Sequence, residues 1–147
     1  MLLALGRWFV HVGLRISPAM IHSLFITVRE YIMTIIRKRT DAKASRIVIH
    51  NDTVYLCGQV PEDVNADFVA QTKAVLARVE EHLIEAGSDT TKMLSALIHV
   101  KDNKDVKVFN ELWNAWVPEG FAPARTCVQS TMARDEVLVE VTVIAAL

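Results

Sequence analysis

The chain of 147 residues carries 52% hydrophobic and 22% charged side chains, a composition that suits a single packed domain. Its 16 Lys and Arg stand against 17 Asp and Glu for a formal net charge of −1, so overall charge gives no case for a nucleic-acid partner. The two cysteines, Cys57 and Cys127, lie in apolar runs with no disulfide framework, and the five histidines fall at no ligand spacing. No metal or other cofactor is expected, and a reducing cytoplasm is the expected setting.

Residues 1–32 differ from everything after them. They hold three arginines, one acid (Glu30) and no persistent helical or strand period. The longest charge-free run, Ile16 to Val28, is 13 residues and contains Pro18 and His22, whereas a membrane span needs about 20 largely apolar residues. No stable membrane insertion is therefore expected. A secretory signal would put its positive charge ahead of the apolar stretch and end in a small-residue cleavage site, and neither is present. The segment is expected to be a leader outside the domain: either upstream sequence ahead of a start at Met33, or a targeting or membrane-surface segment. The domain is expected over 33–147.

From Met33 onward, "MTIIRKR", "RIVIHN" and "DTVYLCGQV" read as three β-branched strands, with Asn51-Asp52 as a tight turn between the last two. The basic run Arg37 to Arg39 is expected to be a solvated strand end. From Ala66 to Ala86 the period changes. Phe68, Thr72, Val75, Leu76, Val79, Leu83 and Ala86 recur at three- and four-residue steps, the stripe of an amphipathic helix. Asn65 or Asp67 suits its N-cap and Gly87 its left-handed stop. "KMLSALIHV" is a fourth strand. Val106, Phe109, Trp113 and Val117 mark a second helix ending at Pro118. A fifth strand is expected from Arg125 to Thr131, and "ARDE" is expected to turn it into a sixth, Val137 to Ala146.

The order β-β-β-α-β-α-β-β with right-handed crossovers places both helices on one face of an α+β sheet. Val137, Val139, Val141, Val143 and Ala145 suit the covered face. The opposite face, with Leu138, Glu140, Thr142, Ile144 and Ala146, is too apolar for open water, so a second copy of the chain is expected to cover it. Alternation puts Arg125, Cys127 and Gln129 on one side of the fifth strand, and the turn is expected to bring that side into register with Glu140. Such a pair is either a structural ion pair or a site facing a small ligand. Asn110 flanks the buried face of the second helix. "CGQ", Cys57 to Gln59, reads as a bulge where glycine relieves crowding, and both cysteines as small core residues.

The block "VYLCGQVPED…QTKAVLARVEEHLIEAG…ALIHVKD…FNELWNAWV…PARTCVQ…VEVTVIAA" resembles the Rid (YjgF-type) family of reactive-intermediate deaminases over nearly all of Met33 to Leu147. Its most specific part is Pro-Ala-Arg followed by Cys-Val and then Val-Glu-Val. The resemblance implies a chorismate-mutase-like protomer and a homotrimer with sites in the clefts between subunits. It implies hydrolysis of 2-imino or enamine acids to 2-oxo acids and ammonia without a cofactor. Arg125 would grip the substrate carboxylate and Glu140 would orient water and move its proton. Cys57, Gly58 and Cys127 would line the pocket, and Asn110 would support it. Two positions depart from the family's most active members: Cys57 stands where they carry serine, and Ala44 where they carry an aromatic residue. The alternative function is a non-catalytic trimeric binder of small carboxylates, using the same arginine.

Overall fold

Ile47, Val54, Val75, Val79, Leu83, Ile98, Val100, Phe109, Val139, Val141 and Val143 are wholly removed from solvent and form one core between a sheet and two helices. The computed structural model describes residues 34–147 and, before them, Ser17, Ala19, Met20 and Ser23. The expectation of a leader over 1–32 otherwise lies outside the described residues. Ile35–Leu147 forms one unit by itself.

The strands are β1 (Ile35–Thr40), β2 (Ser45–His50), β3 (Thr53–Leu56), β4 (Met93–Val100), β5 (Ala124–Gln129) and β6 (Val139–Ala146). Helix α1 spans Phe68–Ala86 and α2 spans Val106–Trp116. The sheet order is β1-β2-β3-β6-β4-β5. Strand β6 follows every other strand in the chain yet lies near the middle, antiparallel to both β3 and β4. Strand β5 sits at the edge, parallel to β4. A parallel neighbour needs a crossover, and α2 supplies it. Alternation along β6 gives Val139, Val141, Val143 and Ala145 at zero exposure beneath the helices, with Glu140, Thr142, Ile144 and Ala146 half-buried on the other face.

The expected stripe of α1 is buried as a set. Asp67 caps it by accepting from the Ala70 N–H at 2.8 Å, and Gly87 stops it at φ 92°. The Gly87 and Ser88 N–H groups then turn back to the carbonyls of Ile84 and Leu83. Asn51 adopts φ 53° in the two-residue turn between β2 and β3, as its side chain allows.

Two expectations are corrected. Strands β5 and β6 are not neighbours, because β4 lies between them. The segment joining them must therefore cross β4 and cannot be a tight hairpin. The basic run is also more than a solvated strand end. Arg39 pairs with Glu85 at 2.6 Å and Glu81 at 2.7 Å, and Lys38 Nζ donates to the Glu85 carbonyl at 2.5 Å, tying β1 to α1.

Two buried polar residues of α1 accompany its apolar stripe. Gln71, wholly buried, donates from Nε2 to the carbonyls of Val64, Ala66 and Glu136, each at 3.0 Å, and accepts the Leu138 N–H at 2.9 Å. Two amide hydrogens serve three acceptors, so one is shared. His82 is 3% exposed, and its Nε2 faces Arg39 Nη1 at 3.1 Å. Arginine can only donate, so the ring proton lies on Nδ1, which is buried without a hydrogen-bond partner. Burial first, and the Arg39 charge second, hold the His82 pKa below its ordinary value.

Gln71→Leu leaves four backbone groups without their partner, and urea unfolding is expected to show a loss of about 3 kcal/mol or more. For His82 the unfolded chain binds a proton more readily than the folded one. Its contribution is therefore intact above about pH 6.5 and is lost as pH falls through the depressed folded value. His82→Gln, which keeps an acceptor for Arg39, is expected to flatten the fall in melting temperature as pH drops below about 6.5.

Candidate functional site

Arg125 is the second residue of β5, in register with Ala96 of β4, and Ala96 is in register with Val143 of β6. Ala96 and Val143 belong to the core, so Arg125 is on the helix side of the sheet. Cys127, opposite Ile98, is on the same side and packs against the core. The guanidinium carbon stands 5.4 Å from the centroid of Trp113 and 5.7 Å from that of Phe109, both on α2. Those two rings stack at 5.9 Å and are themselves buried, so they form a fixed platform for the cation. Between them in the chain, Asn110 accepts from Arg125 Nη2 at 2.5 Å. Among the described residues no carboxylate pairs with Arg125, although it lies exposed at the sheet edge. Its other N–H donors have no hydrogen-bond partner among the described residues.

Glu140 is elsewhere. Its strand partner is His99, and the alternation that buries Val139 and Val141 turns Glu140 to the uncovered face. The expectation that one face holds both Arg125 and Glu140 is corrected: within a protomer they occupy opposite faces. The physical reason is the parallel edge placement of β5, whose register is set by β4 and not by a turn into β6.

The Glu140 carboxylate abuts Gly58, where an added Cβ would lie 1.8 Å from Oε1. The local pairing explains the gap. Tyr55 faces Ile144, but Gln59 faces Val141, so four steps along one strand span three along the other and the chain bulges at 56–58. Gln59 holds the bulge closed through reciprocal backbone bonds with Val141 at 2.8 and 3.1 Å, and its Nε2 donates to the Cys57 carbonyl at 2.7 Å. Gly58 thus sits beside the carboxylate, with Cys57 next to it in the chain, while Cys127 and Asn110 accompany the guanidinium. The site residues read from the sequence fall into two half-sites.

Burial raises the Cys127 pKa, with Arg125 acting weakly in the opposite sense, so Cys127 stays a thiol at neutral pH and serves as wall material. Among the described residues no group of three or more His, Cys, Asp or Glu is placed to hold a metal ion, and no helix is long and apolar enough to cross a membrane. Sequence reading missed the platform under Arg125. Phe109 and Trp113 were legible only as core residues, yet their i, i+4 spacing on a helix with Asn110 between them is the arrangement that seats the cation.

Two helices on one face of a six-stranded mixed sheet define the chorismate-mutase-like fold. The family described as Endoribonuclease L-PSP matches residues 37–147. The chain belongs to this family, the Rid (YjgF/RutC) proteins. It is 40% identical over 114 residues to the RutC family protein YoaB of Escherichia coli, covering 78% of this chain and 99% of the relative. The structure of NMB1025, a YjgF family member from Neisseria meningitidis, superposes with a TM-score of 0.75 at 39% identity, covering 78% of this chain and 96% of that one. The 3-aminoacrylate deaminase RutC of Acinetobacter baylyi is 31% identical over 101 residues, 65% of this chain and 79% of its own.

Gly58→Ala tests the tight contact at the carboxylate. Gly58 has no positive φ, so the backbone accepts alanine, and only the end of a flexible side chain must move. The expected outcome is a melting temperature within about 4 °C of wild type together with a Glu140 carboxylate displaced from its position, read in a crystal structure of the variant.

Proposed function

We propose that the protein hydrolyses reactive 2-imino and enamine acids to 2-oxo acids and ammonia, a cytoplasmic damage-control role, in clefts between the protomers of a homotrimer. The observation that carries this reading is Arg125: a guanidinium set over two rings, anchored by Asn110 and paired with no protein acid among the described residues. An arginine prepared in that way suits a guest carboxylate, which it meets through two parallel N–H···O bonds. The relative named 3-aminoacrylate deaminase supports an enamine carboxylate as the guest.

Arg125 and Glu140 lie on opposite faces of one protomer, so a substrate that touches both must bridge two protomers. The uncovered face supports that assembly. Tyr55, Leu97 and Val128 are 43, 38 and 39% exposed there, beside half-buried Val48 and Ile144, and neither α1 nor α2 covers them. Packing that face against a neighbour shields its apolar surface and brings one chain's Glu140 toward another chain's β5 edge.

In the cleft, Arg125 fixes the substrate carboxylate, and with it the position of the adjacent C=N carbon. Glu140 takes a proton from a water molecule as its oxygen bonds to that carbon, giving a carbinolamine. The same carboxyl returns that proton to nitrogen, then takes the new hydroxyl's proton and delivers it to the amino group as the C–N bond breaks, so that ammonia leaves and the carbonyl forms. An enamine first gains a proton at carbon and loses one from nitrogen to become the imine. The electrophile is already present in the substrate, so positioning and proton transfer suffice. Cys57, Gly58 and Cys127 line the two walls, and Asn110 positions Arg125.

Generating 2-aminoacrylate or a branched imino acid in situ and following 2-oxo acid release tests the reading. Arg125→Ala is expected to lower kcat/KM by about 100-fold or more, with the trimer intact by sedimentation. Glu140→Gln is expected to lower kcat with less effect on KM. Equal rates with and without wild-type protein would instead leave a carboxylate binder. The bridging arrangement has its own signature. Arg125→Ala and Glu140→Gln protomers, each inactive, are expected to regain activity when unfolded together and reassembled, with about a quarter of the clefts wild type at both positions. Absence of rescue in confirmed mixed trimers would place both groups of each site on one chain.

A further inference from the structure

A cavity of about 640 Å³ lies away from Arg125, between the end of the β1–β2 hairpin, residues 58–62, α1 and the loop leading into β6. Its size is that of a small-molecule pocket. Four arginines line it, Arg39, Arg46, Arg78 and Arg134, against two carboxylates, Glu62 and Glu81. His82 also lines it and, with its lowered pKa, is neutral at pH 7. Neither the proposed hydrolysis nor the packing of the core uses this concentration of guanidinium groups.

The four cations are not equally committed. Arg39 is locked by Glu81, Glu85 and His82 and serves as a wall. Arg78 donates through Nη1 to the Val60 carbonyl at 3.1 Å and pairs through Nη2 with Glu62 at 3.1 Å, but the Glu62 side chain is 91% exposed, so that second bond is easily exchanged. Arg46 reaches Asp41 only at 3.4 Å, between two half-exposed side chains. Arg134, on the loop between β5 and β6, has no ion-pair or hydrogen-bond partner for its side chain among the described residues. The donors of these three forks that no protein group holds firmly are thus open to exchange around one concave space. A single carboxylate does not use three such groups. A phosphate monoester does, with a charge between about −1.5 and −2 at pH 7 and three strong acceptor oxygens.

We propose that this cavity is a second ligand site that binds a small phosphate-bearing metabolite through Arg46, Arg78 and Arg134. Gly58 lines the cavity and also abuts the Glu140 carboxylate, so the site adjoins the carboxylate half-site across a single residue. Arg46 Nη1 lies 4.0 Å from Cys57 Sγ, at the margin of that half-site, while Arg78 and Arg134 have no part in the proposed hydrolysis, so the proposal does not depend on it.

Calorimetric titration of the full-length wild-type protein with inorganic phosphate, glycerol 3-phosphate and malonate at constant ionic strength provides the test. Both phosphates are expected to bind at about millimolar affinity or tighter, and malonate more weakly. Arg134→Gln and Arg46→Gln are each expected to weaken phosphate binding about tenfold. Glu62→Gln removes the competing carboxylate and is expected to tighten it. Arg125→Ala and the surface control Lys104→Gln are expected to leave it unchanged. Glu62→Gln and Arg134→Gln alter exposed side chains, so their opposite signs are readable without loss of the fold. No binding of either phosphate would overturn the proposal. So would equal weakening in Lys104→Gln, which marks diffuse charge attraction, or loss of binding in Arg125→Ala, which assigns the anion to the other site.

Discussion

Successive residues of a β-strand face opposite sides of the sheet, and in this molecule that alternation decides which side chains can meet. On β6 it sends four residues into a core that excludes water and puts Glu140 among the residues of the uncovered face. On β5 the register with β4 sends Arg125 and Cys127 toward the helices. With helices on one side only, the two faces have different fates. One is sealed by α1 and α2. The other presents Tyr55, Leu97 and Val128, which neither helix covers. The separation of guanidinium from carboxylate and the apolar outer face are consequences of the same one-sided architecture.

The helices do more than cover the sheet. Through Gln71, α1 fixes both the chain entering it and the start of β6, because that side chain bonds to residues 64, 66, 136 and 138. Such a buried amide is stabilising only while every partner is in place, which makes it a specific device for register. Helix α2 acts on the site itself. Phe109 and Trp113 are core residues on one side and a support for Arg125 on the other, so packing of the core and orientation of the cation are one requirement.

Much of this was legible in the sequence, in proportion to how local the governing physics is. The stripe from Phe68 to Ala86, the cap at Asp67 and the stop at Gly87 depend on neighbours within a few residues, and they were readable. The alternation of β6 was readable for the same reason, and Gly58 marked a bulge even though the carboxylate that crowds it comes from distant Glu140. The partner of β5 was not, because a parallel edge strand is placed by a crossover over many residues, and its register leaves no mark on Ala124–Gln129 themselves. Gln71 did leave one. It sits three residues after Phe68 and four before Val75, a polar group at a stripe position, which signals a buried amide with distant partners. The arginine-lined cavity left no mark, since Arg39, Arg46, Arg78 and Arg134 come from four separate stretches of chain that only the tertiary fold gathers.

The place of β6 in the sheet bears on how the molecule is made. During synthesis β3 and β4 emerge first, with the gap between them already spanned by α1, and neither has its inner neighbour until residues 139–146 have left the ribosome. Until then each shows an unpaired edge and the helices lack the strand they press upon, so the nascent chain carries exposed strand edges through most of its translation. Insertion of that last valine-rich segment is the step that converts two loose halves into one sheet, and delay at that step is where association with other unfinished chains would begin.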